Sequence, residues 1–243
     1  MKKILFTTAI IGFIFASCNK DNEEKEVKKL PSKFIYDSNV RILEYDNQNR
    51  LTKFTFSENV YQIFSYNSDG TLSKITRFID GNEDHVNTFH YNGNQAFMFR
   101  GDSPDTALIF TINSNGELES YSFEEFDFEE EESLWWQITL TYNSNGNVTK
   151  LEFPVTETPE VRVFTYSDVK SIFRYVNMPD WFLLWFFEFE YSKNGYMVSQ
   201  INFGGGDISN FTYTTDTNGY ALTRTATIGE YTATKTFEYI FAK

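Results

Sequence analysis

The stretch TYNSNGNVTKLEF, residues 141–153, sets a polar pentapeptide between two runs in which apolar and polar residues alternate. Alternation of this kind is the pattern of a half-buried strand, and Tyr142-Asn-Ser-Asn-Gly146 has the chemistry of a turn. An Asn or Asp opening the turn bonds its own backbone, small polar residues hold the centre, and Gly takes the position of positive φ. Nothing in that chemistry requires a ligand.

Near copies recur along the chain: Tyr45-Asp-Asn-Gln-Asn49, Tyr66-Asn-Ser-Asp-Gly70, Ile112-Asn-Ser-Asn-Gly116, Tyr191-Ser-Lys-Asn-Gly195 and Thr215-Asp-Thr-Asn-Gly219, with degenerate copies starting at Tyr91 and Tyr166. In the first copy Asn49 stands where the others have Gly, which an Asn tolerant of the left-handed region allows. Successive copies start 21 to 30 residues apart, room for two strands and two connections. Eight hairpins follow. The fold class is therefore all-β, an antiparallel meander of about 16 strands curled into a barrel-like or folded-over sheet, because so many twisted strands cannot lie flat with open edges.

The connections at the opposite ends of the hairpins vary in length: Asp80 to Asp84, Gly101 to Asp105, Glu124 to Ser133, Pro154 to Glu160, Asn177 to Asp180, Phe203 to Asp207 and Ile228 to Glu230. They hold half of the chain's 34 Asp and Glu and not one Lys or Arg. In a meander these links share one rim, which is then acidic, while the Asn/Gly turns share the other.

The N-terminus reads as an address. Met1-Lys2-Lys3 followed by the apolar run Ile4 to Phe15 has the form of a secretory signal. The run ends at Phe15-Ala16-Ser17-Cys18, which resembles a lipobox, so residues 1–18 form a lipoprotein signal peptide and Cys18 is the lipidation site. Cys18 is the only Cys, so intramolecular disulfides are excluded and the fold rests on its core. Residues 19–33 read as a flexible charged tether, and 34–243 as a single hairpin-repeat domain. The acidic run after Cys18 resembles the export tag of Bacteroidetes lipoproteins and implies an outer-membrane lipoprotein, exposed at the cell surface or else facing the periplasm.

The Tyr-Asx-x-x-Gly-x-Leu array behind a lipobox is similar to Bacteroidetes lipoproteins of unknown function with a porin-like β-fold, and more loosely to the tyrosine-aspartate repeats of Rhs-type shells. The resemblance covers nearly all of residues 34 to 243. It implies an envelope protein and carries no catalytic residues. Insertion of the barrel in the membrane is not expected, because most strands are short for a bilayer and carry Lys, Glu, Asn and Gln on both alternations.

A formal net charge of −13 argues against nucleic acid as a partner, since a phosphate backbone needs a basic surface. His85 and His90, the only histidines, fall on opposite faces of one strand and leave no set of zinc ligands, so no metal or other cofactor is expected. The acidic run from Glu124 to Glu132 lacks the spacing of an organised calcium loop. No catalytic residue stands out: Gly204-Gly205-Gly206 has no phosphate-loop Lys, no G-x-S-x-G occurs, and the strand-borne carboxylates Glu152, Glu188 and Glu190 are a weak basis for a hydrolase.

The main departure from alternation is the run Trp181 to Tyr191, WFLLWFFEFEY, which reads as a strand greasy on both faces. One reading is a central strand covered on both sides. The other is an aromatic groove in which Trp135, Trp136, Trp181, Trp185 and Phe187 bind a glycan or a small apolar ligand. The function expected is a noncatalytic, lipid-anchored envelope protein that serves as an interaction or ligand-capture scaffold, its partners the membrane through the anchor and a glycan or an envelope protein.

Overall fold

A computed structural model describes residues 26–101, 107–127, 132–153, 160–187, 195–204 and 206–243. The signal peptide, Cys18, Glu188 and Glu190 lie outside the described residues. In chain order the strands are β1 (Lys29–Tyr36), β2 (Asn39–Tyr45), β3 (Leu51–Ser57), β4 (Val60–Tyr66), β5 (Leu72–Ile79), β6 (Asn82–Asn92), β7 (Gln95–Arg100) and β8 (Ala107–Ile112). There follow β9 (Leu118–Asp127), β10 (Glu132–Tyr142), β11 (Val148–Phe153) and β12 (Glu160–Lys170), then one helix, α1 (Asp180–Phe186). The chain returns through β13 (Tyr196–Asn202), β14 (Ile208–Thr215), β15 (Ala221–Ile228) and β16 (Tyr231–Phe241).

Each strand pairs antiparallel with its neighbour in sequence, and β1 closes on β16 through Phe34 opposite Phe237. The result is a closed barrel of sixteen strands, which removes the open edges. Closure is reinforced at the constant rim, where the Lys243 amide donates to Asn49 Oδ1 at 2.9 Å and the Ala242 amide to the Lys28 carbonyl at 3.0 Å.

The turns have the expected chemistry. Oδ1 of Asn143 accepts the amides of Asn145 and Asn147 at 2.9 and 3.1 Å, and Asp46, Asn113 and Asp216 repeat the arrangement. Gly146 has φ 74°, and Asn49, in place of Gly, has φ 61°.

Cross-strand pairing carries one apolar ring around the lumen, through Leu43 opposite Phe54, Phe64 opposite Ile75, Phe110 opposite Tyr121 and Phe164 opposite Ile201. The outer wall differs. Hydroxyls of Thr225 and Thr234 meet at 3.0 Å, those of Thr214 and Thr223 at 2.7 Å, and Gln200 donates to Asn210 at 2.9 Å. Lys33–Glu238 and Lys150–Glu152 ion pairs lie on the same face.

Three expectations are corrected. First, Trp181 to Phe186 is not a strand but the core of α1, and β12 runs straight through the degenerate copy at Tyr166. The link from Asn177 to Asp180 thus belongs to the constant rim and not to the acidic one. A sixteen-strand barrel is wider than its wall side chains can fill, and no strand edge is left inside it to pair with. A helix satisfies its own backbone, and a helix apolar on all sides belongs in a core. Pro179 ahead of the first turn and Asp180 within it suit a helix start, and the segment has no β-branched residue. Two expected strands vanish together, so strand direction still alternates and β13 pairs antiparallel with β12.

Second, β1 starts at Lys29, inside the stretch read as tether. Leu30 and Phe34 are buried, and Lys29 is held by an ion pair to Asp216 and by the rings of Tyr220 and Tyr239, which absorbs the polar composition.

Third, the repeat Tyr is more than a turn flank. The Tyr45 hydroxyl donates to the Pro31 carbonyl at 2.7 Å, Tyr142 to Leu118 at 2.7 Å and Tyr166 to Val148 at 2.8 Å. Tyr66, Tyr91, Tyr213 and Tyr239 make the equivalent bond, while β8 has Ile112 at the corresponding place. Each bond ties the end of one strand to the start of the strand before it.

Candidate ligand-binding lumen

The segment from Ser171 to Phe187 leaves β12 at the constant rim and folds into the barrel. Ile172, Phe173, Val176, Met178, Trp181, Phe182, Leu183, Leu184 and Phe187 are all buried. Its rings meet the wall on several strands: Phe187 lies 5.6 Å from Phe54, Phe186 5.4 Å from Phe64, Phe182 5.6 Å from Phe89 and Trp181 4.7 Å from Phe110. The Asn177 amide donates to the Asn49 carbonyl at 2.9 Å, which fastens this plug to the first turn. Each buried ring contributes about 1.5–3 kcal/mol by the area rule, so the plug is a core in its own right.

Of the aromatic residues singled out in the sequence, three are brought together in the plug. Trp181, 4% exposed, and Phe187, 8% exposed, are in the plug, and Trp185 packs on Phe110 at 5.2 Å and on Phe182. Trp136 is half-buried on β10, opposite Phe123 of β9. Trp135 stands opposite Glu124 in the β9–β10 pairing, and its side chain lies outside the described residues, as do the side chains from Glu124 to Ser133. Trp181 also edges a hollow of about 490 Å³ at the constant rim, among Asp69, Tyr91, Asn115, Asn177 and Asp180.

The other half of the lumen keeps a cavity of about 430 Å³. Its floor is Phe34, whose ring contacts the plug through Phe173 at 6.0 Å and Phe187 at 6.2 Å. Tyr36, Asn39 and Phe56 line it from β1 to β3, Ala226 and Ala233 from β15 and β16. Three cationic side chains enter the same space: Arg41 from β2, Arg224 from β15 and Lys235 from β16. Arg224 is 6% exposed, stands directly opposite Lys235, and holds its guanidinium 4.8 Å from the ring of Phe211. Alternation could have placed these cations on the lumen face, but only closure of β1 on β16 brings the two ends of the chain to one cavity.

No known family model matches the chain, and no curated protein is similar to it. Among solved structures it is similar to a porin-like protein from Bacteroides uniformis ATCC 8492, with 14% identity, a TM-score of 0.41, and coverage of 88% of this chain and 98% of that one. A porin-like protein from Bacteroides vulgatus ATCC 8482 is similar at 11% identity and TM-score 0.41, over 88% of this chain and 99% of that one.

The remaining candidates for chemistry are dispersed. Glu152 is on the outer wall, 2.6 Å from Lys150. His85 Nδ1 lies 2.7 Å from Asp84 Oδ2, while His90 packs its ring on Phe99 on the opposite face of β6. Among the described residues no group of three His, Cys, Asp or Glu side chains could hold a metal ion.

Proposed function

We propose that this protein is a noncatalytic envelope lipoprotein whose barrel stands in water beside the membrane and captures a small ligand in the unplugged half of its lumen. One observation carries the reading: the Ser171–Phe187 plug fills the lumen from the constant rim, while Phe34, Phe56, Arg41, Arg224 and Lys235 line a cavity toward the variable one. A channel needs both ends open, whereas a receptor needs one.

The hydroxyl ladders and ion pairs on the outer wall support a position in water, since a lipid-facing wall is an apolar band. The signal-like N-terminus and Cys18 support attachment through a lipid rather than through strands.

Two experiments test this. Replacing Cys18 with Ala should move the protein from the membrane to the soluble fraction; a Cys18→Ala form that stays with membranes refutes the anchor. For capture, a small-molecule library is screened by thermal shift against the wild type and against Ala233→Trp, which fills the cavity. Compounds that raise Tm in the wild type alone support capture, and a library without any such compound counts against it.

A further inference from the structure

We infer that the constant rim from β13 to β1 is a membrane-docking surface, seated on the bilayer by exposed apolar side chains around the point where the anchor leaves the barrel. The inference rests on the anchor reading and adds an orientation to it.

Residues Glu26 to Lys28 are fastened to this rim. The Val27 carbonyl accepts from the Tyr220 hydroxyl at 3.1 Å, the Lys28 carbonyl accepts from the Ala242 amide at 3.0 Å, and Glu26 pairs with Lys170 at 3.3 Å. The anchor chain therefore leaves from one fixed place. Only eight steps of chain separate Cys18 from Glu26, and at about 3.3–3.6 Å a step they span less than about 30 Å even at full extension. A lipid on Cys18 holds this rim within that reach of the bilayer.

The surface around the exit is apolar. Phe241 at the end of β16 is 76% exposed, and Ile240 beside it, Leu222 at the start of β15 and Tyr196 at the start of β13 are exposed as well. They share one neighbourhood with the exit: Tyr196 stands opposite Lys170, Lys170 bridges to Tyr220, and Phe241 stands opposite Lys29. Apolar side chains grouped on a surface mark contact with a membrane or a partner, and the anchor keeps a bilayer against these. Aromatic rings at the rim suit the interface between lipid and water. Because the anchor makes docking intramolecular, a few side chains suffice. Docking here points the variable rim, and the cavity toward it, away from the lipid.

The test reconstitutes the lipidated full chain in phosphatidylcholine vesicles that contain a nitroxide-labelled lipid. Cys18 is the only Cys and carries the lipid, so Leu222→Cys or Tyr231→Cys supplies a single free thiol for a fluorescent label. Tyr231, 84% exposed at the other end of β16, is the reference for the far rim. The Leu222→Cys label should be quenched about threefold or more above the Tyr231→Cys label, since burying one Phe shifts the docking equilibrium about tenfold or more. Adding Phe241→Asp to Leu222→Cys should bring the two sites level while the protein still floats with the vesicles; the changed side chain is exposed, so the fold is not at stake. Equal quenching at the two sites in the parent chain, or stronger quenching of the Tyr231→Cys label, overturns the docking. In lipid-free buffer the Cys18→Ala form should leave both labels open to iodide; protection of the Leu222→Cys label there places a second copy of the chain on the rim and also overturns it. Flotation is scored separately from quenching, and a protein that does not float with the vesicles removes the anchor reading and the inference with it.

Discussion

The Tyr66 hydroxyl donates a 2.8 Å hydrogen bond to the Leu51 carbonyl and so joins the end of β4 to the start of β3. Leu51 is itself fully buried, as are Leu72, Leu118 and Val148 at the same step of their repeats. The Tyr of one Tyr-Asx-x-x-Gly-x-Leu copy and the Leu of the copy before it are thus partners. Tyr66→Phe keeps the ring and deletes the bond, so it should cost about 0.5–1.5 kcal/mol, read as a lower denaturant midpoint at unchanged m. Tyr142→Phe should cost a similar amount, and the two should add, because the hairpins are apart.

Alkaline pH should unfold the barrel. Burial pushes the hydroxyls of Tyr45, Tyr66, Tyr91, Tyr142 and Tyr166 above the ordinary value, and Tyr121 up to about 12. An unfolded Tyr loses its proton near pH 10, whereas these keep theirs. Above that pH the unfolded state binds fewer protons, so the stabilisation is complete below about pH 10 and is lost as pH rises through the folded values. Tyrosinate absorbance and loss of the β-sheet circular dichroism should therefore appear together. Ionisation of these residues near pH 10 in an intact barrel would contradict the burial argument.

Gly195 is required by a close approach. A Cβ at this position would lie 1.5 Å from Oδ1 of Asn147, which is 2% exposed. Gly195→Ala should destabilise by about 1–3 kcal/mol through overpacking. Asn147→Ala in the same chain should recover part of the loss, and a double-mutant cycle by chemical denaturation measures the coupling.

The plug should behave as core. Phe182 is fully buried against Phe64 and Phe89, so Phe182→Ala should cost about 3–5 kcal/mol in urea unfolding. A loss below about 1 kcal/mol would mean that the segment is not seated in the lumen. Val163→Ala, on the outer wall and 44% exposed, serves as the surface control and should change stability by less than about 0.5 kcal/mol.

The turns, the alternation and the count of about 16 antiparallel strands were all legible in the sequence. Turn chemistry is local: Asn143, Gly146 and their three neighbours contain both the hydrogen-bond acceptor and the positive-φ residue. Alternation needs only a strand's own residues, which is why Leu151 could be read as buried. The repeat Tyr was visible, but its acceptor, 14 to 24 residues earlier, was not.

Tertiary structure decided the rest. Alternation assigned Trp181 to Phe187 to two faces of a strand, yet inside a wide closed lumen a backbone must bond to itself, and the segment became α1. Lys29 and Leu30 looked like tether until Asp216 and the barrel wall met them. Arg41 lies far from Arg224 and Lys235 in the chain, and none of the three stood out in it. The sequence by itself determined the hairpins, because a hairpin depends on a few adjacent residues. Closure, the plug and the cationic cavity depend on where accumulated strand twist returns β16, and only the tertiary structure sets that.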